Sequence, residues 1–346
     1  MSRFISLARL YCPQTFAQHA SEASTAGNLN TAPIGTEVTG VIQRGYGLYY
    51  DVLVGGEVLR CTLRGTLKRK RRKTDVATVG DRVRATVTTP HEVPAEGVIE
   101  EVMPRERALS RMARGRDDVE QVILANPDQL VAVFAIHEPE PHPRLVDRFL
   151  LIAEAQGLHG ALCLNKRDLA EPGEIERFAA PFRAAGYPVV ATSAKSAHGL
   201  DELRQLLEGR VSAFAGPSGV GKSSLLNALA PERAQAERVG ELSAVTGKGK
   251  HTTTWTTLFQ IGPDTFVADT PGIRSLQPWG VDFEHLDQLY PEFRPYLGQC
   301  HYLNCRHLSE PDCAVLAAVA AGAINAERYD SYRRWLQPTA DEEFVR

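Results

Sequence analysis

No run in this 346-residue chain is apolar for long enough to cross a bilayer: the longest uncharged one, residues 313–325, falls well short of the roughly 20 residues a spanning helix needs. A hydrophobic signal core with a cleavage site is also missing, although the first twenty residues hold no acid and carry Arg3 and Arg9. They read as an unstructured extension, and the chain as cytoplasmic with no membrane partner. A large excess of positive charge is absent as well, the formal net charge being −3, so overall charge alone does not mark a nucleic-acid binder. There are only six cysteines, and Cys12, Cys61 and Cys163 stand far apart while Cys300, Cys305 and Cys313 cluster beside histidine, which excludes a disulfide scaffold and favours metal in a reducing compartment. What is present, 43% hydrophobic and 23% charged residues, is the composition of a globular protein long enough for two or three domains with separate cores.

Four regions are expected: a disordered extension over 1–35, a small β-barrel over 36–110, an α/β domain over 111–278 and a metal-binding helical region over 279–346. Residues 21–34 are rich in Ser, Thr, Ala, Asn and Gly without periodicity. Short β-type runs follow at 37–43, 48–54, 57–63, 82–87 and 97–102. Five such runs separated by glycine turns suit an OB-fold. Between the third and fourth lie Lys68, Arg69, Lys70, Arg71, Arg72 and Lys73, six bases in a row. Phosphates would relieve their mutual repulsion, so this loop is a candidate RNA-backbone contact, sensitive to salt and indifferent to base. Arg105, Arg107, Arg111, Arg114 and Arg116 extend the basic character into an expected linker.

From residue 129 apolar runs alternate with amphipathic ones. Strands are predicted at 130–136, 161–164, 188–191, 211–215, 256–261 and 265–268, with helices at 144–156, 175–185, 201–207 and 224–229. That alternation gives a mostly parallel sheet covered on both faces, with function at the C-terminal strand ends. One of those ends carries Gly216-Pro217-Ser218-Gly219-Val220-Gly221-Lys222-Ser223-Ser224, the pattern G-x-x-x-x-G-K-S between an apolar strand and a helix. Glycines let the backbone aim its N–H groups inward at a helix N-terminus, where partial positive charge favours phosphate. Lys222 reaches the outer phosphates and the Ser223 hydroxyl offers a ligand to Mg²⁺.

Asn165-Lys166-Arg167-Asp168, after another strand, resembles the NKxD motif of the GTPase superfamily. Guanine presents N1–H and an exocyclic NH₂ side by side, which one carboxylate accepts together; adenine places an acceptor where N1–H would be, and Asp168 would reject it. Ser193-Ala194-Lys195 is similar to the motif whose backbone supports the guanine carbonyl. His251 and Thr252–Thr254 resemble the first switch, with a Mg²⁺ ligand from Thr252 or Thr253, and Asp269-Thr-Pro-Gly272 the second, its aspartate near Mg²⁺ and its glycine N–H at the γ-phosphate. The glutamine that many GTPases carry next is here Ile273, so His251 becomes the candidate for orienting the attacking water, with Lys222 and Thr253 as the other catalytic residues. Guanine motifs precede the phosphate loop here, the reverse of the usual order. The domain therefore looks circularly permuted.

Cys300, Cys305, His307 and Cys313 follow as C-x4-C-x-H-x5-C, enough for a closed tetrahedral zinc site; His301 competes but adjoins Cys300 too closely to ligate with it. Helices are expected from there to Ala323 and over 325–336. A barrel, a permuted GTPase and this zinc motif in order resemble the RsgA (YjeQ) family over about residues 36–336. The resemblance implies a monomeric GTP hydrolase, dependent on the 30S ribosomal subunit and its 16S rRNA, that acts late in subunit maturation with GTP, Mg²⁺ and one zinc ion. Lys250 stands where the family often has arginine, which keeps the charge and loses a two-pronged donor. Two other readings compete: an RNA-binding adaptor with a vestigial nucleotide site, and a phosphate-loop kinase.

Overall fold

The computed structural model describes residues 28–68, 74–113, 116–230, 256–270 and 281–337. Alternation of buried and exposed residues builds the first five strands: β1 (Glu37–Tyr46), β2 (Tyr49–Val54), β3 (Glu57–Leu63), β4 (Arg82–Thr89) and β5 (Ala95–Val102). Their order is β1-β2-β3-β5-β4, and β4 returns to β1 to close a barrel; β3 and β5 run parallel, the other pairs antiparallel. Ile42, Val52, Leu59, Val83 and Ile99 are fully buried inside it. This is the expected five-stranded barrel, with each strand within two residues of the expected start. Of the six-base run only Lys68 is within the described backbone, ending the helical turn Gly65–Lys68, and Arg69 to Lys73 lie outside the described residues.

The expected linker is instead a hairpin, β6 (Ala108–Ala113) with β7 (Arg116–Ala125), and the expected divide at 110/111 falls inside it. Its arginines are largely spent within the fold. Arg105 makes a two-pronged ion pair with the fully buried Asp81 at 2.7 and 2.8 Å, Arg107 pairs with Asp128 at 2.9 Å, and Arg111 donates to Gln121 at 3.0 Å. Arg114 lies outside the described residues. The hairpin also ties the barrel to the α/β layer: the Ala125 N–H donates to the Val79 carbonyl, and the Asn126 amide donates to the Gly80 carbonyl.

Strands β8 (Gln129–Ala135), β9 (His159–Asn165), β10 (Val189–Ala191), β11 (Val211–Ala215), β12 (Thr257–Gly262) and β13 (Thr265–Asp269) form the second half, in the order β10-β9-β8-β11-β13-β12. All pair in parallel except β12, which turns back on β13. Helices α1 (Pro143–Ala155), α2 (Glu174–Ala184), α3 (Leu200–Leu207) and α4 (Lys222–Leu229) cover the sheet. Phe149 and Leu150 of α1 join Leu162 and Leu164 on one face, while Leu203 of α3 and Leu225 of α4 join Val131, Phe214 and Val267 on the other. Two separate sheets were the natural expectation, yet Thr257 of β12 pairs with Arg44 of β1, so barrel and α/β layer share one continuous sheet of eleven strands.

The last part packs 3₁₀ segments Phe283–Leu289 and Pro291–Tyr296 with α5 (Ala314–Ala320) and α6 (Ala326–Leu336) around Phe293, Tyr290 and Tyr332. It docks on α1, whose Leu151 enters this core while Phe149 and Leu150 serve the other. Arg328 of α6 is the pin: 3% exposed, it reaches Asp147 of α1 at 2.5 Å and Glu292 at 2.7 and 3.0 Å, under the Tyr290 and Tyr187 rings.

Candidate functional site

Strands β8, β9, β10, β11 and β13 all run one way, so Ala135, Asn165, Ala191, Ala215 and Asp269 finish at one edge of the sheet. The phosphate-loop sequence leaves β11 there. Gly216 has φ +154° and no room for a side chain, since a Cβ would sit 2.0 Å from the Val133 carbonyl oxygen; at Gly221, φ +93°, it would sit 2.4 Å from the Asn165 amide nitrogen. Gly221 caps α4, which opens with Lys222, Ser223 and Ser224, both serines being exposed. The Lys222 ammonium lies at the mouth of the loop, donating to the carbonyls of Gly216 and Pro217 at 2.8 and 2.7 Å. Pro217 is half-buried, Ser218 and Gly219 are exposed, and Val220 is buried among Leu225 and Leu226.

Asn165 joins three loops from a fully enclosed position. Its amide donates to the Val220 carbonyl at 2.8 Å, and its oxygen accepts from the Thr192 hydroxyl at 3.2 Å and the Ala194 N–H at 3.3 Å. The 165–168, 192–195 and 216–224 segments thus meet at one point, as their sequence spacing alone does not require. Asp168 and Arg167 stand exposed on a single 3₁₀ turn beyond Lys166, itself left-handed at φ +59°. The Ser193 hydroxyl, helped by the positive charges of Lys195 and Lys166, holds the Asp168 carboxyl below its usual range. An ionised acceptor beside exposed backbone is suited to a pair of adjacent N–H donors.

Two features of this rim have no counterpart among the sequence motifs. Lys166 donates its ammonium to the Glu138 carbonyl, and Pro139 lies 3.7 Å from where a Gly219 side chain would start, so the β8–α1 loop also borders the phosphate loop. The run of prolines at 139, 141 and 143 after a strand end was the available signal. Asp269 ends β13 opposite Phe214, and the neighbouring Thr270 hydroxyl donates to the Phe214 carbonyl at 2.7 Å. A hard dication takes oxygen ligands, and the Ser223 hydroxyl in the first turn of α4 and the Asp269 carboxylate at the end of β13 are donors of that kind, so their chemistry fits Mg²⁺. His251, Thr252, Thr253, Thr254, Gly272 and Ile273 lie outside the described residues, as does Lys250.

At the other end of the chain, the sulfurs of Cys300, Cys305 and Cys313 and a ring nitrogen of His307 all lie within 4.8 Å of one another. Cys300 and Cys313 sulfurs are 3.8 Å apart, and His307 Nδ1 is 3.5 and 3.3 Å from them. Zinc–sulfur bonds of about 2.3 Å at tetrahedral angles require edges of roughly 3.7 Å, so the donors fit that ion. The second imidazole nitrogen faces Asp287 at 3.5 Å, an outer-shell carboxylate of the kind that orients metal-bound histidine. His301 is not among the converging groups. Glu310 braces the knuckle: burial opposes its charge, but N–H donors from Arg306, Leu308 and Ser309 at 2.8, 2.7 and 3.0 Å outweigh burial and hold its carboxyl down to about 2.

The comparisons with known proteins agree with this geometry. The RsgA GTPase family matches residues 102–279, and the RsgA N-terminal domain matches 39–94. Proteins named small ribosomal subunit biogenesis GTPase RsgA from Gemmatimonas aurantiaca and Chlorobaculum tepidum are 41% and 42% identical over 86% and 88% of this chain, and over 96% and 99% of their own lengths. The crystal structure of YjeQ from Thermotoga maritima superposes with a TM-score of 0.69 at 32% identity, covering 87% of this chain and 98% of that one. YloQ, described as a circularly permuted GTPase, gives 0.67 at 31%, covering 89% and 96%. With a permuted nucleotide edge, a five-stranded barrel and a Cys₃His cluster in its sequence and fold, the chain belongs to the RsgA GTPase family.

Proposed function

We propose that this chain is a GTP hydrolase that binds the small ribosomal subunit during its late maturation and is stimulated by it. The observation that supports the nucleotide half is the meeting of three loops at Asn165, the arrangement that a guanine reader beside a phosphate cradle requires. The subunit half rests on family membership and on the relatives' names.

In this reading Asn165 and Lys166 shape the purine slot, with Arg167 at its edge, and Asp168 accepts from guanine N1–H and the exocyclic amine. Ser193 keeps that carboxylate charged, while the backbone at Ala194 and Lys195 faces the guanine carbonyl. The N–H groups of 216–224 hold the phosphates, and Lys222 exchanges its loop carbonyls for phosphate oxygens. Bound Mg²⁺ would neutralise charge on the transferring phosphoryl group. Ser223, Asp269 and Thr253 are the residues to hold it, Gly272 senses the γ-phosphate through its N–H, and His251 orients the attacking water. One zinc ion held by Cys300, Cys305, His307 and Cys313 keeps the C-terminal region folded. The barrel, with its bases 68–73, and the zinc region supply the contacts to 16S rRNA, and the protein acts as a cytoplasmic monomer with an N-terminal extension, a barrel from residue 36, a GTPase domain to 278 and a zinc region over 279–346, the β6–β7 hairpin bridging barrel and GTPase.

Competition binding tests the nucleotide reading: GTP and GDP are expected to displace a labelled guanine nucleotide at concentrations at least about 100-fold below ATP, the discrimination expected when a mismatched base leaves buried polar groups unpaired. Equal displacement by ATP overturns it.

A further inference from the structure

The nucleotide edge and the barrel share one row of residues across the sheet. Ala161, Val131, Phe214, Asp269, Thr257 and Arg44 stand side by side on β9, β8, β11, β13, β12 and β1. Asp269, the candidate Mg²⁺-side carboxylate, is therefore two strands from the barrel, about 10 Å at ordinary strand spacing. Ala161, Val131 and Phe214 of this row pack in one cluster with Leu225 of the phosphate-loop helix, and side chains in one row share a face. Asp269 thus stands within the row on the face that the phosphate-loop helix covers, and the far end of the row, Arg44, belongs to the barrel.

The junction is short and specially made. From Glu37 to Val41, β1 pairs with β4 inside the barrel; a bulge between Ile42 and Arg44 then bends it, and Arg44 meets Thr257. Among the described residues that seam is one pair long, whereas β8 and β9 stay paired from Gln129 opposite His159 to Ala135 opposite Asn165. Without β1 the β12 edge would stand open beside the second-switch hairpin, an arrangement that invites an added strand. A seam this small belongs to the low-stability end of the molecule, where opening costs least.

We propose that the β1–β12 seam is a nucleotide-sensitive joint between barrel and GTPase, closed with GDP and loosened with GTP. The barrel cannot simply follow β12 because it is held elsewhere. Gly80 lies so close to the β7 end that a side chain there would meet the Ala125 carbonyl at 2.1 Å, and the Arg105–Asp81 pair and the Asn126 bond to Gly80 fix the same corner. Drawing Asp269 toward a bound triphosphate pulls β13 and β12 together, since Leu258 to Gln260 pair fully with Phe266 to Ala268. The strain falls on the weakest link, Arg44 opposite Thr257. By thermodynamic reciprocity, a partner that binds the barrel and favours the open seam favours GTP to the same extent.

The joint rests on the nucleotide reading, and hydrogen exchange on the full chain separates the two. Peptides covering 40–47 and 256–262 are followed with GDP and with a non-hydrolysable GTP analogue, each with Mg²⁺, with 216–224 as the occupancy control. Protection of 216–224 by both nucleotides is expected, with exchange at the seam faster in the analogue form by at least about fivefold, the lower end of ordinary allosteric coupling. Protected 216–224 with seam exchange equal or slower in the analogue form refutes the joint and leaves GTP binding standing. Unprotected 216–224 in both refutes the nucleotide reading and the joint with it.

Discussion

At the scale of single residues, Asp168 and Gly221 make the most exposed commitments. Asp168→Asn replaces one acceptor pair with an acceptor and a donor, so GTP affinity is expected to fall by at least about tenfold, the loss of one charge-assisted hydrogen bond, while xanthosine nucleotides gain. Competition titrations with both bases check it; unchanged GTP affinity removes Asp168 from the base site. The direction of its pKa shift fixes the pH behaviour. A carboxyl held below its usual value stays ionised as pH falls, so guanine affinity should remain flat from neutrality down to about pH 4, the usual range of free aspartate, and weaken only below it. A decline that begins well above that range contradicts the Ser193 and Lys195 assignment. Gly221→Ala places a methyl on the Asn165 amide in a backbone conformation that alanine disfavours, and nucleotide binding should suffer even though no charge changes. Much of this site was legible because phosphate and guanine impose residue types at fixed spacing. Glu138 was not, because it takes part through its backbone carbonyl, and the prolines at 139, 141 and 143 marked a loop without saying what it borders.

Elements were readable where one face decides the pattern. Strands β1 to β5 alternate cleanly, and α1 shows Val146, Phe149, Leu150 and Ala153 at helical spacing behind a proline suited to the first turn. The β6–β7 hairpin hid because the arginines around it, which read as an unpaired basic stretch, pair with Asp81, Asp128 and Gln121. Leu109 and Leu124, both fully buried, were its clearest apolar clue. The zinc knuckle makes the element-scale prediction. Cys305→Ala is expected to lower zinc from about one ion per chain to well below it and to destabilise 281–337, while leaving guanine binding largely intact. Full zinc content in that variant would mean another ligand set. Neutralising Lys68 to Lys73 should weaken RNA association and flatten its salt dependence, each phosphate contact contributing a slope of about 0.9 on duplex and 0.7 on single strands. An unchanged slope would reduce the run to a solvated loop.

Across the whole molecule, three parts are held by contacts that no local pattern announces. Arg328 lies 181 positions from Asp147 and 36 from Glu292, and only folding brings the three together. Removing the guanidinium leaves two buried carboxylates without their counter-charge, so Arg328→Leu should cost about 3–5 kcal/mol, the usual penalty for breaking a buried pair. Denaturant titrations followed by tryptophan emission measure that loss, Trp335 lying beside Phe283 in the docked region. A loss below about 1 kcal/mol, typical of an exposed pair, would mean that α6 docks on its apolar face alone. The β1–β12 pairing was equally hidden, since Arg44 and Thr257 are polar residues in strands that read as belonging to separate domains. Permutation gives these contacts their place: the second switch precedes the zinc-binding region in the chain, and the edge strand before it meets the barrel.

Coupling between subunit binding and GTP hydrolysis is the central claim, and steady-state phosphate release with and without purified 30S subunits measures it. With Ile273 in place of a water-orienting glutamine, the isolated protein is expected to turn over slowly. Adding 30S should raise the rate by at least about tenfold, equivalent to about 1.4 kcal/mol off the barrier. A rate that is the same with and without 30S, in protein whose guanine binding has been verified, contradicts the proposed function.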